Sequence, residues 1–323
     1  MYILFKNEGA EKVDMVVSSE NELMKRTEKR KAYIYLIMTF ILWGSLYVVS
    51  KYTLSKIPTF TLSFLRFCIA FVTLTIISGK KKQTKKIEKK DIPYLFLIGV
   101  GGYFIAVGAQ LLGTKYSNAS LASLINSLNP LTMTLFAAII LHEKLTRWKI
   151  IGLVIALIGV YIILGGGNIG GFLGIGLSLF SVLLWSVISV FMRKITQKYD
   201  AMLITRYGIS IAVVCYLPLC ICELYTGSSV HFDISCVLAV LYMGSICTGV
   251  AYILWNKSLS MMEAGSCSSF YPVQPLVSAF LGILFLHEQA AVTFWIGAIF
   301  IIVGIMINLH KKIPHVSNLK ENC

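Results

Sequence analysis

Acidic side chains are scarce in this sequence. Its 323 residues hold only 15 Asp and Glu, and charged residues of both signs make up 14 %. A soluble domain ordinarily carries about 25 %. Too little polar surface remains to cover a water-facing fold, so a soluble domain is excluded. Disordered, collagen-like and disulfide-scaffold chains are excluded by the same composition. None of the eight cysteines forms a CxxC pair, and most fall inside apolar runs. There cysteine acts as a small buried hydrophobe, which speaks against metal or redox chemistry. No GxxxxGK[ST] loop occurs, so ATP hydrolysis by this chain is not expected. His142-Glu143-Lys144-Leu145-Thr146 and His287-Glu288-Gln289-Ala290-Ala291 both lack the second His of HExxH. GxSxG is absent as well, and no acid pair lies within an apolar run. No catalytic group, metal or cofactor is expected, and a membrane-embedded enzyme is the weakest functional class.

What is present is apolar. Hydrophobic residues reach 57 % and mean hydropathy is +0.77. Residues 1–31 read as a polar, flexible or loosely helical tail without a signal peptide. Ten apolar stretches follow, at 33–52, 60–78, 92–112, 119–141, 148–166, 171–191, 202–222, 234–256, 265–286 and 292–310. Each suits a bilayer-spanning helix of about 20 residues. Continuous rather than alternating hydrophobicity argues for helices over barrel strands. The expected fold is an all-α membrane protein of ten transmembrane helices, closed by a short tail at 311–323.

Lys and Arg set the orientation. With the N-terminus inside, inner segments hold 24 of the 29 basic residues and outer loops hold Lys51, Lys56 and Lys115. Both termini are therefore expected in the cytosol of a plasma-membrane protein. The net charge of +14 then answers to anionic lipid headgroups, with Lys80–Lys82, Lys85 and Lys86 in reach of them, and not to nucleic acid.

The sequence also repeats itself. Asn129-Pro130-Leu131 matches Gln274-Pro275-Leu276 at an offset of 145, as do Leu141-His142-Glu143 and Leu286-His287-Glu288. Gly152 and Gly159 match Gly297 and Gly304 at the same offset, while Trp43 matches Trp185 at 142. Arg66 matches Arg206 at 140. Residues 33–166 and 171–310 thus read as two five-helix halves. Five is odd, so the second half enters the membrane upside-down. Inverted repeats suit a transporter with a midplane site and alternating access.

Trp43-Gly44, Leu65-Arg66-Phe67, a proline in the fourth and ninth spans, Glu at their ends and Gly-x6-Gly beyond resemble the drug/metabolite transporter superfamily, EamA-type permeases in particular. The departure is Ser186, which follows Trp185 where Gly44 follows Trp43. The resemblance implies a permease that moves a small organic solute such as an amino acid or related metabolite, most often outward. Toxic-compound export and lipid-linked sugar translocation remain alternatives within the same fold.

Pro130 and Pro275 lie inside the fourth and ninth helices and free or displace the carbonyls of Asn126 and Tyr271, and Pro272 adds a second break in the ninth. A kinked, cavity-lining pair of helices is expected. Asn126, Asn129, Gln110 and Gln274 are costly in hydrocarbon unless they face inward, to bind solute or to hold helices together. Trp43, Trp185, Tyr103, Tyr252 and Tyr271 are candidate pocket walls. These residues place the site among spans 1, 3, 4, 6, 8 and 9. Arg66 and Arg206 are the charges inside spans. Arg66 is shallow enough to snorkel as an anchor, or else forms an ion-pair or carboxylate-binding gate. Glu143 and Glu288 suit salt bridges or the capping of neighbouring loops, a structural duty and not proton carrying. Without a mid-membrane carboxylate, proton coupling is expected to be indirect or absent. The spaced glycines make the fifth and tenth spans close-packing and suggest a homodimer contact.

Overall fold

A computed structural model describes residues 2–79, 87–141, 147–165, 172–227, 230–262, 264–268, 270–288 and 291–309. Glu143, the lysines at 80–86 and the tail at 311–323 lie outside them. Helix α1 runs Tyr2–Leu54 without interruption, so the helix continues back through the expected tail. Then follow α2 (Thr59–Ser78), α3 (Lys89–Tyr116), α4 (Ala119–Asn126) and α5 (Asn129–Leu141). Next are α6 (Arg147–Gly165), α7 (Phe172–Thr196), α8 (Ala201–Tyr225) and α9 (Ile234–Met261). The chain closes with α10 (Ala264–Ser268), α11 (Val273–Leu286) and α12 (Val292–Leu309). No strand occurs among the described residues.

Among the described residues seven helical stretches, one of them α4 and α5 taken together over Ala119–Ile140, are long and apolar enough to cross a membrane, and Ile150–Gly159, Val273–Leu286 and Val292–Gly304 are shorter apolar helices. Their outer surface carries Ile76, Val214, Leu238 and Phe280, all largely exposed, as lipid contact requires. Threonines and serines inside the helices bond back to carbonyls four residues earlier, as Thr39, Thr73 and Thr205 do. Local caps start the segments: Asn118 accepts from the Leu121 N–H at 2.7 Å to open α4, and Asp233 from the Cys236 N–H at 2.8 Å to open α9.

Two features were not legible beforehand. Helices α3 and α9 are each widened in mid-course into a π-helix, over Leu97–Ala106 and Met243–Val250. Both stretches contain glycines that let a neighbour close in. A Cβ on Gly99 would lie 2.6 Å from Ile211 Cβ on α8, and one on Gly244 2.6 Å from Ile69 Cβ on α2. Each π segment therefore packs on a helix from the other half of the chain.

The prolines do not kink continuous helices as expected. The fourth span breaks at Ser127–Leu128 and the ninth between α10 and α11. Pro130 and Pro275 sit in the first turn of the segment after each break, where a missing N–H costs nothing. The Asn126 carbonyl is satisfied by Asn129 Nδ2 at 2.7 Å. That of Tyr271 accepts from the Gln274 N–H at 3.0 Å.

The spaced glycines join α6 to α12 within one chain. A Cβ on Gly159 would meet the Gly297 carbonyl at 2.7 Å, and one on Gly304 the Gly152 carbonyl at 2.5 Å. This contact uses the face that suggested a homodimer.

Candidate functional site

Six helices converge on a small central cavity. Trp43 and Leu46 come from α1, Ala106, Val107 and Gln110 from α3, and Asn126 from α4. Ser181 and Trp185 come from α7, Tyr252 from α9 and Gln274 from α11. These are the six spans named from the sequence. The cavity measures about 20 Å³, room for about one water molecule. Anything larger than a water would fit only with the walls moved apart.

The repeat-related tryptophans meet there. Trp43 and Trp185 lie edge to face with ring centres 6.1 Å apart, and Tyr252 packs on both, at 5.5 and 5.7 Å. Such pairs add about 0.5–1.5 kcal/mol each beyond area burial. Each indole N–H is satisfied. Trp43 donates to the Cys247 carbonyl within the π segment of α9 at 3.2 Å, and Trp185 to the Tyr271 hydroxyl at 3.0 Å. The π segment of α3 likewise offers carbonyls to the other half. Tyr216 on α8 donates to Phe104 O at 2.7 Å, and Ser181 to Ala106 O at 2.7 Å.

A polar chain crosses between the two broken spans. Asn126 Nδ2 donates to Gln274 Oε1 at 3.0 Å. Asn129 Nδ2 donates to Asn126 Oδ1 at 2.9 Å, Ser186 Oγ donates to Asn129 Oδ1 at 2.8 Å, and Thr132 meets Ser186 at 2.6 Å. The departure at Ser186 thereby has a use. At the equivalent Gly44 a Cβ would lie 2.8 Å from the Gln274 carbonyl and 2.7 Å from Val277 Cβ, so glycine is required there.

Of the nine candidate pocket residues, six face the cavity. Tyr103, Asn129 and Tyr271 do not: they are buried one layer behind. Tyr103 accepts from Asn256 Nδ2 at 3.1 Å. Leu46, Ala106, Val107 and Ser181 line the cavity and carried no signal that distinguished them from other apolar or small residues of their spans.

Arg66 does not snorkel. It is 1 % exposed, and its Nε donates to Thr248 Oγ1 on the π segment of α9 at 2.5 Å. Arg206 is half-buried and reaches Ser78 Oγ at 3.5 Å. Glu288 caps α4: its Oε1 accepts from the Ala119 N–H at 2.7 Å, and Oε2 from the Ser120 N–H at 3.2 Å and hydroxyl at 2.5 Å. Glu223, which the sequence did not single out, does the same for α2 through Phe60 and Thr61.

Two lysine–aspartate pairs tie the halves together. Lys56 meets Asp233 at 2.5 Å, and Lys198 meets Asp91 at 2.5 Å and Glu88 at 2.9 Å. Lys56 and Lys198 are 142 positions apart, as are Asp91 and Asp233. Each pair thus joins the lysine of one half to the aspartate of the other. The 20 residues of α2 separate the two pairs along the bundle, about 30 Å. Hydrogen bonding to Lys56 holds the Asp233 carboxyl below the ordinary range, and Lys198 does so for Glu88. Among the described residues no His, Cys, Asp or Glu group could hold a metal ion.

An apolar crevice of about 470 Å³ opens between α1, α9 and α11, walled by Val48, Val49, Leu281 and Phe285, with Ser45 and Tyr242 among its lining.

The EamA-like transporter family matches this chain twice, over residues 30–165 and 172–309. An uncharacterized transporter of Archaeoglobus fulgidus is 27 % identical over 87 % of this chain and all of its own length. One from Clostridium kluyveri is 28 % identical over 91 % of this chain and 96 % of its own. The uncharacterized transporter YetK of Bacillus subtilis is 26 % identical over 87 % of each. A solved crystal structure superposes with a TM-score of 0.65 over 85 % of this chain and 95 % of that one, at 20 % identity, a likeness of fold. With two family matches laid end to end over nearly all the apolar helices, this multi-pass membrane protein belongs to the EamA-like transporter family.

Proposed function

We propose that the chain is a secondary transporter of the plasma membrane that moves a small organic solute, such as an amino acid or related metabolite, out of the cell. It does so through ten spans in two inverted five-span halves, with both termini in the cytosol. The observation that carries this reading is the reciprocity of contacts between the halves. Lys56–Asp233 at one end is answered by Lys198–Asp91 at the other. Gly159 on Gly297 is answered by Gly304 on Gly152. The π segment of each half rests on a helix of the other. Inverted halves give two states of equal architecture, open to opposite sides. The narrow cavity with both lysine–aspartate pairs closed fits the occluded state between them. The broken spans, joined by Asn126 and Gln274, supply segments that rock apart.

Metabolite profiles of the medium from overexpressing and deletion cells test this. One solute, or one chemically related group, should accumulate outside with overexpression. Unchanged profiles together with unchanged susceptibility to toxic amino-acid analogues would sink the reading. The apolar crevice of about 470 Å³ favours a second reading, a cargo with a hydrocarbon tail held at the side of the bundle. Its mark would be lipid-linked material, and no soluble metabolite, redistributing across the membrane.

A further inference from the structure

Within the site proposed above, we infer that Arg66 and Tyr47 hold an anionic group, a carboxylate carried by the transported solute. This rests on the transporter reading. A guanidinium keeps its charge in any protein environment. Arg66 is wholly buried, and no carboxylate among the described residues pairs with it. Its Nε is held by Thr248, whose own hydroxyl is fixed by donation to the Met243 carbonyl at 2.7 Å. Its Nη2 is buried without a hydrogen-bond partner, and so is the hydroxyl of Tyr47.

The two polar groups lie within electrostatic reach of each other: Tyr47 is beside Gln110, and Tyr252 is beside Arg66. Gln110 and Tyr252 both line the central cavity. The donors that await an acceptor therefore adjoin the residues that would part to admit a solute. A buried charge left unpaired is strongly unfavourable, and so is a buried donor left without an acceptor. A carboxylate brought in by the solute supplies the acceptor that Nη2 lacks and the counter-charge that the guanidinium lacks. A neutral solute of the same shape brings no such charge. The aromatic walls suit an apolar body attached to that carboxylate.

The test uses the purified full-length chain and two probes that differ in charge and little in shape, benzoate and benzamide, with binding read from tryptophan fluorescence. Benzoate should bind about tenfold or more tightly than benzamide, the scale of one charged hydrogen bond. Arg66→Gln should bring the ratio to about one, and Arg66→Lys should keep most of it. Tyr47→Phe should weaken benzoate alone. If Arg66→Gln does not fold, Tyr47→Phe and Arg66→Lys decide: equal losses for both probes overturn the assignment. A wild type with no charge preference, or one that binds neither probe, also overturns it, as does a preference that survives Arg66→Gln. Charge-selective binding through Arg66 in a chain that exports nothing would leave the anion site standing and remove the transport reading alone.

Discussion

Asn129 is the residue on which the polar chain turns. It never touches the cavity, yet its amide satisfies the carbonyl that the break before Pro130 leaves open and accepts from Ser186. Asn129→Ala strands the Asn126 carbonyl, at about 1–3 kcal/mol for a buried group left unpaired, and leaves Ser186 with Thr132 alone. The expected outcome is a lower melting temperature in detergent together with reduced export. Trp185 differs because its ring faces the cavity. Trp185→Ala should abolish most export with expression intact, whereas Trp185→Phe keeps a ring and loses only the bond to Tyr271. Export at the wild-type rate from both Trp185→Ala and Asn129→Ala would remove the site assignment. Glycines separate by what surrounds them. Gly304→Ala forces a methyl against a backbone carbonyl at 2.5 Å, whereas a Cβ at Gly176 meets nothing within 4 Å. The first should cost about 1–3 kcal/mol, and Gly176→Ala should be neutral or mildly stabilising. Thermal unfolding of the two variants side by side checks this.

At the scale of elements, the broken spans depend on what holds their ends. Helix α4 is only eight residues long, too short to be stable alone. Glu288, far away in sequence, supplies the acceptors for its first N–H groups, where the positive end of the helix also favours a carboxylate. Glu288→Ala should cost about 0.5–2 kcal/mol and loosen α4 specifically, seen as faster hydrogen exchange of the amides at 119–123. Unchanged protection there would show that α4 is held by packing alone. The sequence placed Glu288 at a helix end, but the helix start it caps was not readable. A carboxylate 169 positions from the N–H it accepts leaves no local sequence pattern. The π segments were hidden for a similar reason. Their glycines look like ordinary small residues until Ile211 and Ile69 are seen pressed against them.

For the whole molecule, the lysine–aspartate pairs are the groups whose titration faces water. The folded carboxyls of Asp233 and Glu88 titrate below their unfolded values of about 4, so the pairs add stability above that pH. This contribution disappears as pH falls through the depressed folded values. Melting temperature should hold level from about pH 7 to 5 and decline below about 4. Asp233→Asn should make that decline shallower. An equal decline in the variant would mean that the pair carries no weight. Breaking one pair at a time should bias the two states. In a background without native cysteines, a cysteine placed at Ser181 should react faster with an impermeant reagent from one side in Lys56→Ala, and from the other side in Lys198→Ala. Export should not depend on a pH gradient, since no carboxylate lines the central cavity.

Sequence alone determined that the chain lies in a membrane, where its apolar helices run and that its two halves correspond. Hydrocarbon imposes those features on each segment locally, through length, hydropathy and the need for every backbone group to find a partner. The repeat is a property of residue order, so it too was open to inspection. Only the tertiary structure decided which of the polar and aromatic residues reach the cavity and which brace it from behind, as Tyr103, Asn129 and Tyr271 do. It alone set the glycines of α6 against α12 and left Arg66 buried and short of an acceptor. Those outcomes depend on contacts between residues far apart in the sequence, and such contacts are made by packing, which no window along the chain contains.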